Sequence, residues 1–152
     1  MEIEVVELDP TALKTPPTAD FGFGNKFSNR MFSQKYSPEQ GWHDAKIGPY
    51  EDFNLPPSTA VFHYAQEIFE GTKAYRRADG HINLFRPWEN MKRFNNSARR
   101  MSMAVVDEEE HLNAIIKLIE LDHDWVPGAA GASLYIRPTM IATDAALGVH
   151  AS

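Results

Sequence analysis

A chain of 152 residues has the length of one domain, and a domain of that size buries roughly 68–70% of the surface its unfolded chain exposes, enough for a real core. Hydrophobic residues make up 43% and charged residues 24%, the balance of an ordinary globular domain, with no stretch long and apolar enough to span a bilayer. Fifteen basic against twenty-one acidic residues leave a net charge of −6, which opposes binding to nucleic-acid phosphates or anionic lipid, and the absence of cysteine excludes disulfides and thiolate chemistry.

The start, Met1-Glu2-Ile3-Glu4-Val5, carries acid where an export signal carries a basic and then an apolar region, so the cytoplasm is the expected location. Residues 1–22 hold Pro10, Pro16 and Pro17 with little periodicity and read as an irregular arm. From Phe27 to Tyr36 apolar and polar residues interleave, and Gly41 to Pro49 suits the returning strand of a hairpin turning at Ser37-Pro38-Glu39-Gln40-Gly41. Leu55-Pro56-Pro57-Ser58 reads as a loop, because proline cannot serve a central strand.

Thr72 to Arg77 and His81 to Phe85 flank Ala78-Asp79-Gly80, where Asp-Gly supplies the positive φ of a tight turn. Pro87 suits a helix N1 position, and Trp88, Met91, Phe94 or Asn95, Ala98 and Met101 follow as one apolar stripe. A further helix opens at Asp107 with Glu110 in a capping-box variant and runs through Leu112, Ile115, Ile116 and Ile119 to Trp125, stopped by Pro127-Gly128. Ser133 to Thr143 alternates and reads as one strand. Paired strands, two helices and a returning strand make an α+β two-layer domain: a mostly antiparallel sheet with helices on one face.

Three places could carry chemistry. Tyr135 and Arg137 are two apart on a strand, so they project from one face roughly 6.6–6.8 Å apart. A phenol beside a guanidinium fork suits a carboxylate-bearing substrate; an edge arginine paired to a surface acid fits the pattern as well. His63-Tyr64-Ala65-Gln66-Glu67-Ile68-Phe69-Glu70-Gly71 sets aromatics before the second hairpin. Tyr64 and Phe69 could line an apolar pocket with Gly71 allowing a close backbone approach at the strand entrance, or the segment is ordinary core packing with a helix end at Gly71. Arg93 lies off the apolar stripe with Ser97 and Arg100 on its flank; this small basic flank is either a solvated face or has one arginine turned inward to bind a phosphate. The six histidines, at 43, 63, 81, 111, 123 and 150, form no close ligand pair, so no metal is expected.

Read together, these segments resemble the branched-chain aminotransferases, pyridoxal-phosphate enzymes of fold-type IV, from about Phe23 to Val149. The resemblance rests on an ordered series: Phe23-Gly24, Gly41-Trp42, His63-Tyr64-Ala65, Phe69-Glu70-Gly71-Thr72-Lys73-Ala74-Tyr75-Arg76, Asn90-Met91-Lys92-Arg93-Phe94, Ser97-Ala98-Arg99-Arg100, Trp125-Val126-Pro127, Ser133-Leu134-Tyr135-Ile136-Arg137-Pro138 and Leu147-Gly148-Val149. It implies the small N-terminal domain of such an enzyme over residues 23–146, with 147–152 opening the interdomain connection. It further implies that Arg93 binds the cofactor phosphate and that Tyr64, Phe69, Tyr135 and Phe23 wall a pocket for a branched aliphatic side chain. Arg137 then reads the distal carboxylate of glutamate, and Leu147 and Val149 reach the partner subunit's site in a homodimer.

In the family, the lysine that anchors the cofactor lies in a second domain, placed here beyond Ser152. None of the seven lysines, at 14, 26, 35, 46, 73, 92 and 117, sits in the family's lysine context. The implied reaction is amino transfer between leucine, isoleucine or valine and 2-oxoglutarate, for amino-acid biosynthesis, with this chain inactive alone. Two alternatives compete. One is the small domain of another fold-type IV enzyme, such as a D-amino-acid aminotransferase or an aminodeoxychorismate lyase, which would share Arg93 but is not expected to carry the Tyr135/Arg137 pair. The other is a non-catalytic oligomerisation module.

Overall fold

The computed structural model describes residues 1–149; His150 to Ser152, the end of the expected interdomain connection, lie outside the described residues. Within the arm, β1 (Glu4–Val5) is a short strand that pairs in parallel with β3 (Gly41–Pro49), so the arm is not wholly irregular. β3 forms the first hairpin with β2 (Arg30–Ser37), and Ala45 and Ile47 are buried while Asp44 is exposed. Gly41 takes a φ of +67° at the turn, a conformation side-chain-bearing residues rarely adopt.

After the proline loop comes α1 (Ala60–Tyr64), which ends at Ala65 in a left-handed conformation. A helix running to Gly71 is therefore not formed: the chain leaves α1 and enters β4 (Glu67–Phe69) and then β5 (Thr72–Arg76). β5 pairs with β6 (Ile82–Leu84) across the Asp79-Gly80 turn, where Gly80 has a φ of +87° and its N–H donates to Arg77 O at 3.0 Å.

The last expected strand is interrupted. β7 (Leu134–Ile136) pairs with β5 and β8 (Thr139–Ile141) pairs with β4, with Arg137-Pro138 between them. Pro138 has no N–H to give a ladder, which breaks the strand. The register is nonetheless the same on both sides of the break: Phe69 faces Thr139 and Thr72 faces Ile136. Segments 67–76 and 134–141 are thus one antiparallel ribbon with a step at Glu70-Gly71 opposite Arg137-Pro138. One backbone bond crosses the step, Glu70 N–H to Pro138 O at 2.9 Å.

Helices α2 (Pro87–Arg100) and α3 (Glu108–Leu121) cover one face of this ribbon, giving the expected α+β layering. The core has two clusters. In one, Ala74 packs with Met91, Leu112, Ile115, Ile119 and Val126; in the other, Ile68 packs with Phe94, Ala98 and Val106. The buried stripe of α2 is Asn90, Met91, Phe94, Asn95 and Ala98, whereas Trp88 and Met101 at its ends are exposed, contrary to the expected stripe. Asn95 spends both amide groups on Val106 at 2.9 Å, holding the connection into α3.

α3 is capped by Asp107, whose carboxylate accepts the Glu110 N–H at 2.9 Å. It ends at Leu121 and not at Trp125; residues 123–125 form a 3-10 turn. The cause is Arg30, whose Nη1 donates to Asp122 at 2.7 Å and to Leu121 O at 3.3 Å, while its backbone N–H donates to Asp122 at 2.9 Å. Among the described residues no helix is long and apolar enough to cross a membrane.

Candidate functional site

The ribbon sorts its side chains by face. Ile68, Thr72 and Ala74 turn toward the helices and are buried, so the residues between them, Phe69, Gly71 and Lys73, turn the other way. Across the ribbon, Tyr135 and Arg137 share that outer face, because Lys73 pairs with Tyr135 and the register places Arg137 beside Gly71. The outer face is where the aromatic residues gather.

Arg137 lies between two rings: its guanidinium carbon is 4.7 Å from the centroid of Phe69 and 5.2 Å from that of Tyr135. A guanidinium set over ring faces can still offer N–H groups to a planar acceptor. Its Nη2 lies 3.4 Å from the Tyr135 phenol oxygen, and among the described residues it has no carboxylate partner, so the edge-arginine ion pair is not formed. Phe23 meets Tyr135 edge to face at 5.1 Å. Phe23 and Tyr135 also line a shallow cleft with Phe21, Lys73, Gly131 and Ser133. Lys73 was expected only as a strand residue, and its place in the cleft depends on a loop distant in sequence.

Gly71 makes this arrangement possible. A β-carbon on residue 71 would overlap the phenol of Tyr135. The close approach expected at this glycine is therefore made by a side chain from the facing strand.

A second group is separate from the first. Ala60 N–H donates to Asp144 O at 2.8 Å and Val61 N–H to Ala142 O at 3.1 Å, which ties the chain after β8 to the start of α1. Leu147 is thereby carried to Tyr64, whose phenol donates to the Leu147 carbonyl. Val149 projects into solvent, 88% exposed. The described residues thus bring together Phe23, Phe69, Tyr135 and Arg137, and separately Tyr64 and Leu147, with Val149 joined to neither.

Arg93 lies on the helix side of the ribbon. Its Nε donates to Glu70 Oε2 at 2.8 Å and its Nη2 to Glu70 Oε1 at 2.7 Å, so the arginine is not a plain solvated charge. Glu70 also accepts from the Gly71 N–H at 2.7 Å, and Asn90 Nδ2 reaches Gly71 O at 3.0 Å. The Arg93 hydrogen bond holds the Glu70 carboxyl below the usual glutamate value against the opposing effect of burial, and Glu70 in turn raises Arg93. The side chain of Glu70 is only 11% exposed and that of Arg93 63% exposed. An anion can therefore reach the outer edge of Arg93.

No family model matches the chain. It is 52% identical over 137 residues to branched-chain-amino-acid transaminase 1 of Bacillus subtilis, which covers 90% of this chain and 38% of that protein. It is 48% identical over 138 residues to the cytosolic branched-chain-amino-acid aminotransferase of Saccharomyces cerevisiae, covering 91% and 37% respectively. Among solved structures, the Escherichia coli branched-chain amino acid aminotransferase superposes with a TM-score of 0.57 at 26% identity, over 70% of this chain and 34% of that one. The branched-chain amino acid aminotransferase of T.th., complexed with N-(5′-phosphopyridoxyl)-L-glutamate, gives 0.57 at 31% identity, over 69% and 33%. The resemblance carried by the motifs thus holds along nearly the whole sequence: this chain is homologous to the branched-chain-amino-acid aminotransferases, shares the α+β fold of the matching third of their structures, and spans about two fifths of the length of the curated relatives.

Proposed function

We propose that this chain is the substrate-facing small domain of an aminotransferase that moves an amino group between leucine, isoleucine or valine and 2-oxoglutarate, using pyridoxal phosphate. The carrying observation is Arg137 stacked between Phe69 and Tyr135 on a face that Phe23 extends. Such a wall offers ring surface to a branched aliphatic side chain and, at the same place, a fork to the distal carboxylate of glutamate. One pocket can thereby accept both amino donors.

Arg93 fits a phosphate group, since its outer edge is open to solvent and an arginine fork matches phosphate oxygens. Pyridoxal phosphate, when bound, supplies the electron sink for the chemistry at the amino acid's α-carbon. The residues of this chain bind and orient: Arg93 holds the phosphate, Phe23, Phe69, Tyr64 and Tyr135 exclude water, and Arg137 sorts side chains by charge. We assign the covalent lysine to chain outside these 152 residues, and assign Leu147 and Val149 to a neighbouring subunit's pocket in a homodimer. A cytoplasmic, biosynthetic role follows from the same reading.

The test is amino transfer by the whole reading frame that contains this segment, beside the 152-residue chain alone. Glutamate formation from leucine, isoleucine and valine with 2-oxoglutarate is expected from the former and none from the latter. Turnover of D-alanine without turnover of leucine would replace the reading with another enzyme of the class.

A further inference from the structure

Glu70 stands where the ribbon steps, between buried Ile68 and Thr72, and its side chain is turned toward α2 in the gap between the two core clusters. An acid in such a place needs partners, because a largely buried carboxylate without them is costly. It has three: the Gly71 N–H at 2.7 Å, Asn90 Nδ2 at 3.5 Å, and the side edge of Arg93 through Nε and Nη2.

A guanidinium has five N–H donors in a rigid plane. Glu70 uses the Nε hydrogen and one on Nη2. The other hydrogen of Nη2 and one of Nη1 form the end edge of the plane, the second Nη1 hydrogen pointing toward Cδ, on a side chain 63% exposed. We propose that Glu70 is a positioning residue: its carboxylate grips one edge of Arg93 so that the Nη1/Nη2 edge is presented as a preformed fork for a phosphate group. This rests on the reading of Arg93 as a phosphate ligand.

The opposing arrangement has the phosphate displacing Glu70 and taking the same edge. That would strip its strongest partner from a carboxylate only 11% exposed, and breaking one side of a desolvated pair costs more than leaving it intact. The geometry also gives Glu70 a second connection. Its Gly71 contact fixes the backbone over which the Tyr135 phenol lies, so the fork and the aromatic wall share one anchor.

Inorganic phosphate titrated into the nitrogen-15-labelled 152-residue chain tests this by nuclear magnetic resonance. Phosphate should shift the Nη signals of Arg93 and leave its Nε–H signal in place and protected from exchange. Movement of Nε–H to the position of a free arginine would mean that phosphate displaces Glu70, and would overturn the proposal; this needs no variant. Glu70→Asp keeps the charge and withdraws the grip, so Nε–H protection should vanish and phosphate binding weaken by about three- to tenfold, a share of the rotamer entropy an arginine otherwise loses on binding. Unchanged affinity and protection in folded Glu70→Asp would also overturn it. Arg93→Met separates the two readings. If it binds phosphate as tightly as the natural chain, the phosphate role of Arg93 falls and the fork with it; if it loses binding while Glu70→Asp does not, only the role of Glu70 falls.

Discussion

The phenol of Tyr135 lies directly over Gly71, in space that a β-carbon on residue 71 would fill. Gly71 is in ordinary φ space, since it is not among the positive-φ glycines, so the glycine is needed for room and not for backbone freedom. Gly71→Ala should force Tyr135 outward and destabilise the chain by about 1–3 kcal/mol, the usual cost of overpacking. Urea denaturation of Gly71→Ala, Tyr135→Ala and the double variant checks the cause: the double variant should lose much less than the two single losses added, because the overlap is then gone. Strict additivity would show that Gly71 is needed for another reason.

His111 titrates in a packed place. Its ring stacks on Phe94 at 5.7 Å and meets Phe32 edge-on at 5.7 Å, and burial lowers its pKa. A depressed folded value means that the unfolded chain takes up the proton first. The stability contributed by neutral His111 is then complete above the ordinary imidazole value and is lost as pH falls through the lower folded one. Urea midpoints at neutral and mildly acidic pH should decline in the natural chain and decline less in His111→Phe. An equal decline in both would move the effect to other groups.

Elements set by local chemistry were legible in the sequence. Asp79-Gly80 and Gly41 fix their turns, and Asp107 caps α3, each through atoms a few residues away. The end of α3 was not, because Arg30, about ninety residues distant in sequence, takes the carbonyl and carboxylate there. Pro138 could have revealed the interrupted strand, but the alternation on both sides of it masked the break. At the site, the shared face of Tyr135 and Arg137 followed from their spacing. The place of Phe69 against Arg137 needed the register of a second strand, and Glu70 gave no local sign of a role, because its partners Asn90 and Arg93 lie about twenty residues on, in α2.

Phe23 and Phe69 are 68% and 62% exposed, Tyr64 is 42% exposed, and Leu147 is 63% exposed. Exposed large apolar side chains of this kind on a small chain commonly mark surface meant to be covered. The 152-residue chain should therefore self-associate as its concentration rises, and Phe69→Ser should reduce this. Sedimentation velocity across a concentration series checks it; a monomer at every concentration would count against an exposed contact face.

Arg137 offers the sharpest test of the proposed function, because a fork reserved for a distal carboxylate would serve only a substrate that has a second one. If the proposed reading holds, then in the whole reading frame that contains this segment Arg137→Met would keep a long apolar side chain beside Phe69 and Tyr135 and remove the charge-assisted hydrogen bonds to a distal carboxylate. Losing a hydrogen bond to a charged group costs about 1.5–3 kcal/mol, or roughly ten- to a hundredfold. That loss should appear in kcat/KM for glutamate. On the proposed reading leucine would meet the same wall only through van der Waals contact with the rings, so its kcat/KM should change far less. Steady-state kinetics with each amino donor in turn decides the matter. Equal losses for both donors would mean that Arg137 holds shared structure or the carboxylate that all the substrates carry, and selection of the distal carboxylate would then have to be assigned elsewhere.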